Sequence, residues 1–427
     1  MKLARTQTHL SRRHFLANAF AGAGMLAVGG HVFAGVNQAT RTLAGAGDAA
    51  GRQRFFAALG GGLLPPDANG VRLPAGFTSR IVARSSQPPA PGISYAWHAA
   101  PDGGATYATE DGGWVYACNS ELDAGASGVG ALKFDAQGNV VDAYPILTGT
   151  NRNCAGGPTP WNTWLSCEEY DQGLVWECDP YAAGQGVARP PLGPFSHESA
   201  AVDPVGRRIY LTEDTGDSCL YRFTPNEYPD LSTGVLEVAQ VLGDPTTGRQ
   251  RVIWQNVPNP NPAAGETPTR NQVEGVYRFN RGEGMYYHDG VVYFTTTGDN
   301  RVWAYRTRDD AIEIFYDAKL IPDAPLHDPD NVVVDSRGFV YVAEDSGDLQ
   351  VVLITPEGVP MPLLQLVGHD DSEIAGPAFS PDGTRFYFSS QRGTTGASED
   401  GITYEIVGPF PSIDLLYASG FEPRVND

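Results

Sequence analysis

Ile209-Tyr210-Leu211-Thr212-Glu213-Asp214 follows the turn residues Asp203-Pro204-Val205-Gly206 and precedes a second apolar run, Leu220-Tyr221-Arg222-Phe223. Short runs of β-branched and aromatic residues bounded by Asp, Pro and Gly mark strands joined by tight turns. The phrase returns along the chain. Pro101-Asp102-Gly103-Gly104 reads as a turn leading to Thr106-Tyr107-Ala108-Thr109-Glu110-Asp111. Thr159-Pro160-Trp161-Asn162 leads to Thr163-Trp164-Leu165-Ser166-Cys167-Glu168-Glu169. His288-Asp289-Gly290, Asp335-Ser336-Arg337-Gly338 and Ser380-Pro381-Asp382-Gly383 open three more copies, the second of which runs on to Val342-Ala343-Glu344-Asp345.

Most copies lie roughly 45 to 55 residues apart, the length of a four-stranded propeller blade. A wider gap after Phe223 holds Asn256-Val257-Pro258-Asn259-Pro260-Asn261-Pro262, which reads as an inserted loop. The expected fold is therefore all-β: a single β-propeller of about six blades with a central metal site. Its span is set at residues 61–412, with 413–427 either a tail or a ring-closing strand. The 51 glycines and 33 prolines suit many tight turns, and 41% hydrophobic residues suit a globular chain.

Ser11-Arg12-Arg13-His14-Phe15-Leu16 precedes a small-residue apolar run ending at Val32-Phe33-Ala34. A twin arginine before a weakly hydrophobic segment fits a Tat export signal over residues 1–34, handled by the Tat machinery and cleaved after Ala34. The glycines in that run argue against a stable membrane anchor. Residues 35–60 read as a flexible lead. The expected location is the periplasm or the exterior of a bacterium. A net charge of -21 repels nucleic acid and anionic lipid, so neither is an expected partner. An anionic substrate would need bound cations to reverse the local potential.

Cys118, Cys154, Cys167, Cys178 and Cys219 are odd in number, so at least one stays unpaired or binds metal. Cys167 and Cys178 sit where they could face each other across a hairpin. Cys154, in the Gly-rich loop Asn153-Cys154-Ala155-Gly156-Gly157, reads either as a buried structural thiol or as a metal ligand. His197-Glu198, Glu213-Asp214, Arg281-Gly282-Glu283-Gly284, Asp330-Asn331, Glu344-Asp345 and Ser372-Glu373 are individually ordinary. Together, at similar blade positions, they would line one channel, where they cannot all be ionised without cations among them.

In order along the chain, Asn119-Ser120-Glu121, Cys154-Ala155-Gly156-Gly157 with Thr159-Pro160-Trp161, Cys167-Glu168-Glu169, His197-Glu198 and Thr212-Glu213-Asp214 resemble motifs of PhoX-type secreted alkaline phosphatases. The resemblance continues through Arg281-Gly282-Glu283-Gly284-Met285, Pro329-Asp330-Asn331, Glu344-Asp345, Ser372-Glu373-Ile374-Ala375-Gly376 and Tyr404-Glu405-Ile406-Val407-Gly408-Pro409-Phe410. It implies a Tat-exported propeller hydrolysing small phosphate monoesters with ferric iron and calcium. Cys154 would be an iron ligand with Glu168, Glu213 and Glu283. Glu121, Glu198, Asp330 and Glu373 would bind calcium or support the ligands, and Glu169 and Glu344 complete the candidate metal set. Arg281 would be the catalytic residue gripping a phosphate oxygen. Ser120 departs from the family, which commonly has His there, and the chain is shorter than the well-known members. Two rival readings remain: a non-catalytic, calcium-stabilised propeller that binds a ligand or partner, and a calcium-dependent propeller lactonase.

Overall fold

The computed structural model describes residues 49–184 and 186–411. The expected export signal and C-terminal tail lie outside the described residues.

Six inner strands surround one axis, and each starts a blade. They are Pro101–Ala108, Asn153–Pro158, His197–Asp203, Gly282–His288, Pro329–Val334 and Ile374–Phe379. Blades one to six follow these strands in chain order, each an antiparallel meander running outward. Blades three and four merge at their rims, because the extra strand Gln250–Asn256 pairs with both Asp230–Leu242 and Ala311–Asp317. The Pro/Asn-rich segment after that strand is part of the long connection between the same two blades.

The N-terminal chain closes the ring. Thr78–Arg84 pairs with Ile402–Val407 as the outer strand of blade six, and Val71–Arg72 extends blade five beside Pro360–Leu366. Strands from both ends of the chain thus share one sheet. That arrangement ties the first blade to the last.

Alternation explains why the strands read as nearly continuous apolar runs. A blade is covered on both faces, so successive side chains enter opposite interfaces. Ile209 and Leu211 pack against Leu165 and Val175 of blade two, whereas Tyr210 between them joins Phe294 and Trp303 of blade four. Six separate apolar clusters fill the six blade interfaces in this way. The turns follow the sequence pattern: Asp335 accepts from the Arg337 and Phe339 amides, and Gly338 takes φ +83°.

Three local expectations change. Residues 49–60 of the expected flexible lead form the helix Ala49–Gly60, because Phe55 and Leu59 are buried against blades five and six. Pro101-Asp102-Gly103-Gly104 is the start of an inner strand, and a Cβ on Gly103 would lie 2.5 Å from Ala155 Cα. Cys167 and Cys178 stand opposite Val175 and Trp164, respectively, at different ends of their hairpin. All five cysteines are buried and free. Among the described residues no helix is long and apolar enough to cross a membrane.

Candidate metal centre

The same irregularity opens the inner strands of blades one to five. Pairing with the second strand slips between Pro101 and Gly104, Asn153 and Gly156, His197 and Ala200, Gly282 and Met285, and Pro329 and Val332. A bulge of this kind re-aims a side chain. The residue just inside each slip is Asp102, Cys154, Glu198, Glu283 or Asp330. Five blades therefore deliver four carboxylates and one thiol from equivalent positions. Small residues follow several of them to let the strands converge: a Cβ on Gly284 would meet Asn331 Cα at 2.6 Å.

Donor atoms gather in three overlapping groups: Asp102 with Glu121 and Cys154, Cys154 with Glu169 and Glu198, and Glu198 with Glu283 and Asp330. Within each group they lie within 4.8 Å of one another. Cys154 Sγ is 3.3 Å from Glu198 Oε1. Asn119 donates to the Cys154 and Ala155 carbonyls at 3.0 and 2.7 Å, fixing the thiol's backbone.

Burial first, and then the neighbouring negative charges, push the pKa of Asp102, Glu198 and Asp330 well above the ordinary range. Glu283 is raised by burial and by Asp214, with Arg281 opposing. Burial and the charge of Glu121 push Glu169 up to about 9. Burial raises Glu373 to about 8 against the opposing charge of Arg392. Burial and Asp102 raise the Cys154 thiol as well.

The residues fit a cation load. Glu198 Oε2 is buried with no hydrogen-bond partner. Gln391 Nε2 has two hydrogens, yet it lies within hydrogen-bonding distance of Asp102, Glu121 and Glu373 together. Even with Arg392 paired to Glu373, three carboxylates sharing one amide nitrogen carry more negative charge, once ionised, than their neighbours offset, a deficit that divalent or trivalent ions correct.

Arg281 stands at the edge of this cluster with φ +59°. Its Nε and one Nη donate to the two oxygens of Asp214, each at 3.0 Å. An Nη lies 2.8 Å from Glu283 Oε1, close enough to be an ion pair although without hydrogen-bond geometry. Asp345 is 3.7 Å from the other Nη.

The expected ligand set divides by register. Glu121, Cys154, Glu169, Glu198, Glu283 and Asp330 converge, and Glu373 joins through Gln391. Glu168, Glu213 and Glu344 are not brought to the centre. Glu168 accepts from the Asn151 and Leu174 amides, and Glu344 accepts from those of His327 and Gln350. Glu213 accepts from Tyr221, Arg270 and the Cys219 amide. Each is the last residue of a second strand, so the next residue points the other way: Glu169, Asp214 and Asp345 face the axis. Sequence reasoning missed Asp102 altogether. The parallel between Asp102-Gly103-Gly104 and Cys154-Ala155-Gly156-Gly157 was the available signal.

A family model described as alkaline phosphatase PhoX matches residues 115–175 and 170–393, more than half of the chain. Among solved structures, Pseudomonas fluorescens PhoX in complex with vanadate, a transition state analogue, has a TM-score of 0.68 and 17% identity, covering 81% of this chain and 97% of that one. A gluconolactonase from Xanthomonas campestris has a TM-score of 0.41 and 15% identity, covering 82% and 98% of the two chains. Virginiamycin B lyase from Staphylococcus aureus has a TM-score of 0.42 and 11% identity, covering 78% and 99%. No curated protein matches the chain.

Proposed function

The chain belongs to the PhoX alkaline phosphatase family, a family of phosphatase-type hydrolases, and from that premise we propose that it hydrolyses phosphate monoesters at the thiol and carboxylate cluster on the propeller axis. The observation carrying this reading is the repeated bulge that aims Asp102, Cys154, Glu198, Glu283 and Asp330 at one place, with Arg281 beside them.

The donor chemistry favours a mixed metal load. Cys154 with Glu169 and Glu198 suits iron, because a thiolate is a poor ligand for calcium. The all-oxygen remainder, Asp102, Glu121, Glu283 and Asp330, suits calcium. Such ions supply positive charge that stabilises the oxygens of a phosphoryl group in transfer.

The chain's own contributions are positioning and exclusion. Arg281 donates to a phosphate oxygen while Asp214 holds its guanidinium plane. The bulged inner strands hold the donors in fixed directions, and the buried walls around Glu198 limit competing water.

Export completes the reading. The twin-arginine segment at Arg12-Arg13 directs the folded protein to the periplasm or beyond, with cleavage after Ala34 leaving the propeller of residues 61–412 and its preceding helix. Purified protein supplied with iron and calcium is expected to hydrolyse an aryl phosphate, and Cys154→Ala and Arg281→Ala to abolish most of that activity. Full activity in both variants would overturn the assignment. A calcium-only protein inert to phosphate esters would instead support the binding-propeller reading.

A further inference from the structure

Beside the metal cluster, a cavity of about 620 Å³ opens between blades one, two and three. Glu169 and Asp214 form the wall it shares with the cluster; its other lining includes Asp123, Asn151, Arg152, Tyr170, Asp171 and Thr215. Arg152 is the one cation among the lining residues.

Arg152 is built into place. Its amide donates to the Leu122 carbonyl and its carbonyl accepts from the Glu169 amide, each at 2.8 Å. Its φ is +44°, a left-handed conformation that costs an arginine energy and that glycine or asparagine would adopt more readily. The side chain donates through Nε to Asp123 at 2.5 Å. Nearly half of that side chain is exposed, and it lines the cavity.

We propose that this cavity receives the alcohol half of the substrate, and that Arg152 selects hydroxyl-rich leaving groups such as polyols and sugars. The inference rests on the phosphatase reading above. Asp214, which lines this cavity, also holds Arg281 at 3.0 Å, so the space adjoins the proposed phosphate seat. The volume accommodates a sugar-sized group. Its lining offers hydrogen-bond acceptors at Asp123 and Asp171, mixed groups at Asn151, Tyr170 and Thr215, and donors at Arg152. That pattern matches hydroxyls, each of which donates and accepts. It disfavours an aromatic leaving group, which leaves the polar groups without partners. A polyanionic leaving group is repelled by the carboxylates.

The test compares kcat/KM for glycerol 2-phosphate, glucose 6-phosphate and 4-nitrophenyl phosphate in the metal-loaded enzyme. Arg152→Asn removes the charge and tolerates the left-handed backbone, so folding is preserved; thermal denaturation checks this. The ratio of polyol to aryl kcat/KM is expected to fall about tenfold, the loss of one charged hydrogen bond to substrate. Arg152→Lys is expected to restore part of the ratio. An unchanged ratio, whether through equal losses or none, overturns the proposal and leaves the phosphatase reading standing. Absence of turnover of all three esters by the wild-type enzyme overturns both.

Discussion

Cys154 Sγ lies 3.3 Å from Glu198 Oε1, a thiol donating to a carboxyl group shut off from solvent. Burial and then surrounding charge raise both pKa values, so without cations the protonated forms are favoured. Bound metal reverses the preference and expels those protons. Protein loaded with iron and calcium is therefore expected to lose iron in Cys154→Ser, read by elemental analysis. Stripping wild type with a strong chelator is expected to lower the Tm by about 5 °C or more, since binding to the folded state alone stabilises it.

Glu198 and Glu213 look equivalent in the sequence, and the structure separates them. Glu213 sits on Arg270 at 2.9 Å and accepts from Tyr221. Glu213→Gln is expected to destabilise by about 1 to 3 kcal/mol, because the partly buried Arg270 then keeps only the exposed Asp217, at 3.3 Å, as a counter-charge. Its metal content is expected to match wild type. Glu198→Gln is expected to lose metal with little further change in the stability of the stripped protein. Denaturant titration paired with elemental analysis distinguishes the two.

The propeller was legible because each strand carries a local signature and the turns recur at blade length. What lay beyond the sequence was direction. Glu168-Glu169, Glu213-Asp214 and Glu344-Asp345 are adjacent pairs on extended backbone, so one member of each faces the axis and the other a loop amide. Choosing between them requires the strand register, which depends on partners distant in the chain. Asp102 was hidden for a related reason: Asp-Gly-Gly has turn chemistry, and only packing against Ala155 reveals that the glycines serve close approach. The helix at Ala49–Gly60 was hidden because its Phe55 is stabilised by Phe77 and Phe410 rather than by helix propensity.

Asp214 accepts from Arg281 through both oxygens, and on the proposed reading it acts as a positioning residue. Asp214→Asn keeps the shape but allows only one acceptor oxygen. The expected result is a loss of about 10- to 100-fold in kcat/KM for an aryl phosphate. Inhibition by inorganic phosphate is expected to weaken in parallel, with metal content retained. Loss of metal instead would identify Asp214 as a ligand.

Metal-free protein is expected to show an inverted pH dependence. Folding raises the Glu373 carboxyl to about 8 and that of Glu169 to about 9, from a starting value of 4.5. A carboxyl raised in this way takes up protons on folding. Its contribution is full below about pH 4.5 and is lost as pH climbs through 8 and 9. The Tm of stripped protein should therefore decline from pH 5 to pH 9. Metal-loaded protein should do the reverse on the acid side, because protons displace cations from the same donors. A stripped protein equally stable at both ends would show that these carboxyls are already solvated.

Phe55 tests whether the N-terminal helix is part of the propeller's stability. Its ring is fully buried, 6.2 Å from Phe77 and 6.0 Å from Phe410, while the neighbouring Phe56 reaches Phe339 at 5.4 Å. These contacts bring the helix onto blades five and six, where the first and last parts of the propeller meet. Phe55→Ala leaves a cavity at that seam, with an expected cost of about 3 to 5 kcal/mol. The helix lies outside the donor cluster, so metal content and room-temperature activity should match wild type while the denaturation midpoint falls. A midpoint unchanged by the substitution would show that blade six closes on Thr78–Arg84 without help from the helix.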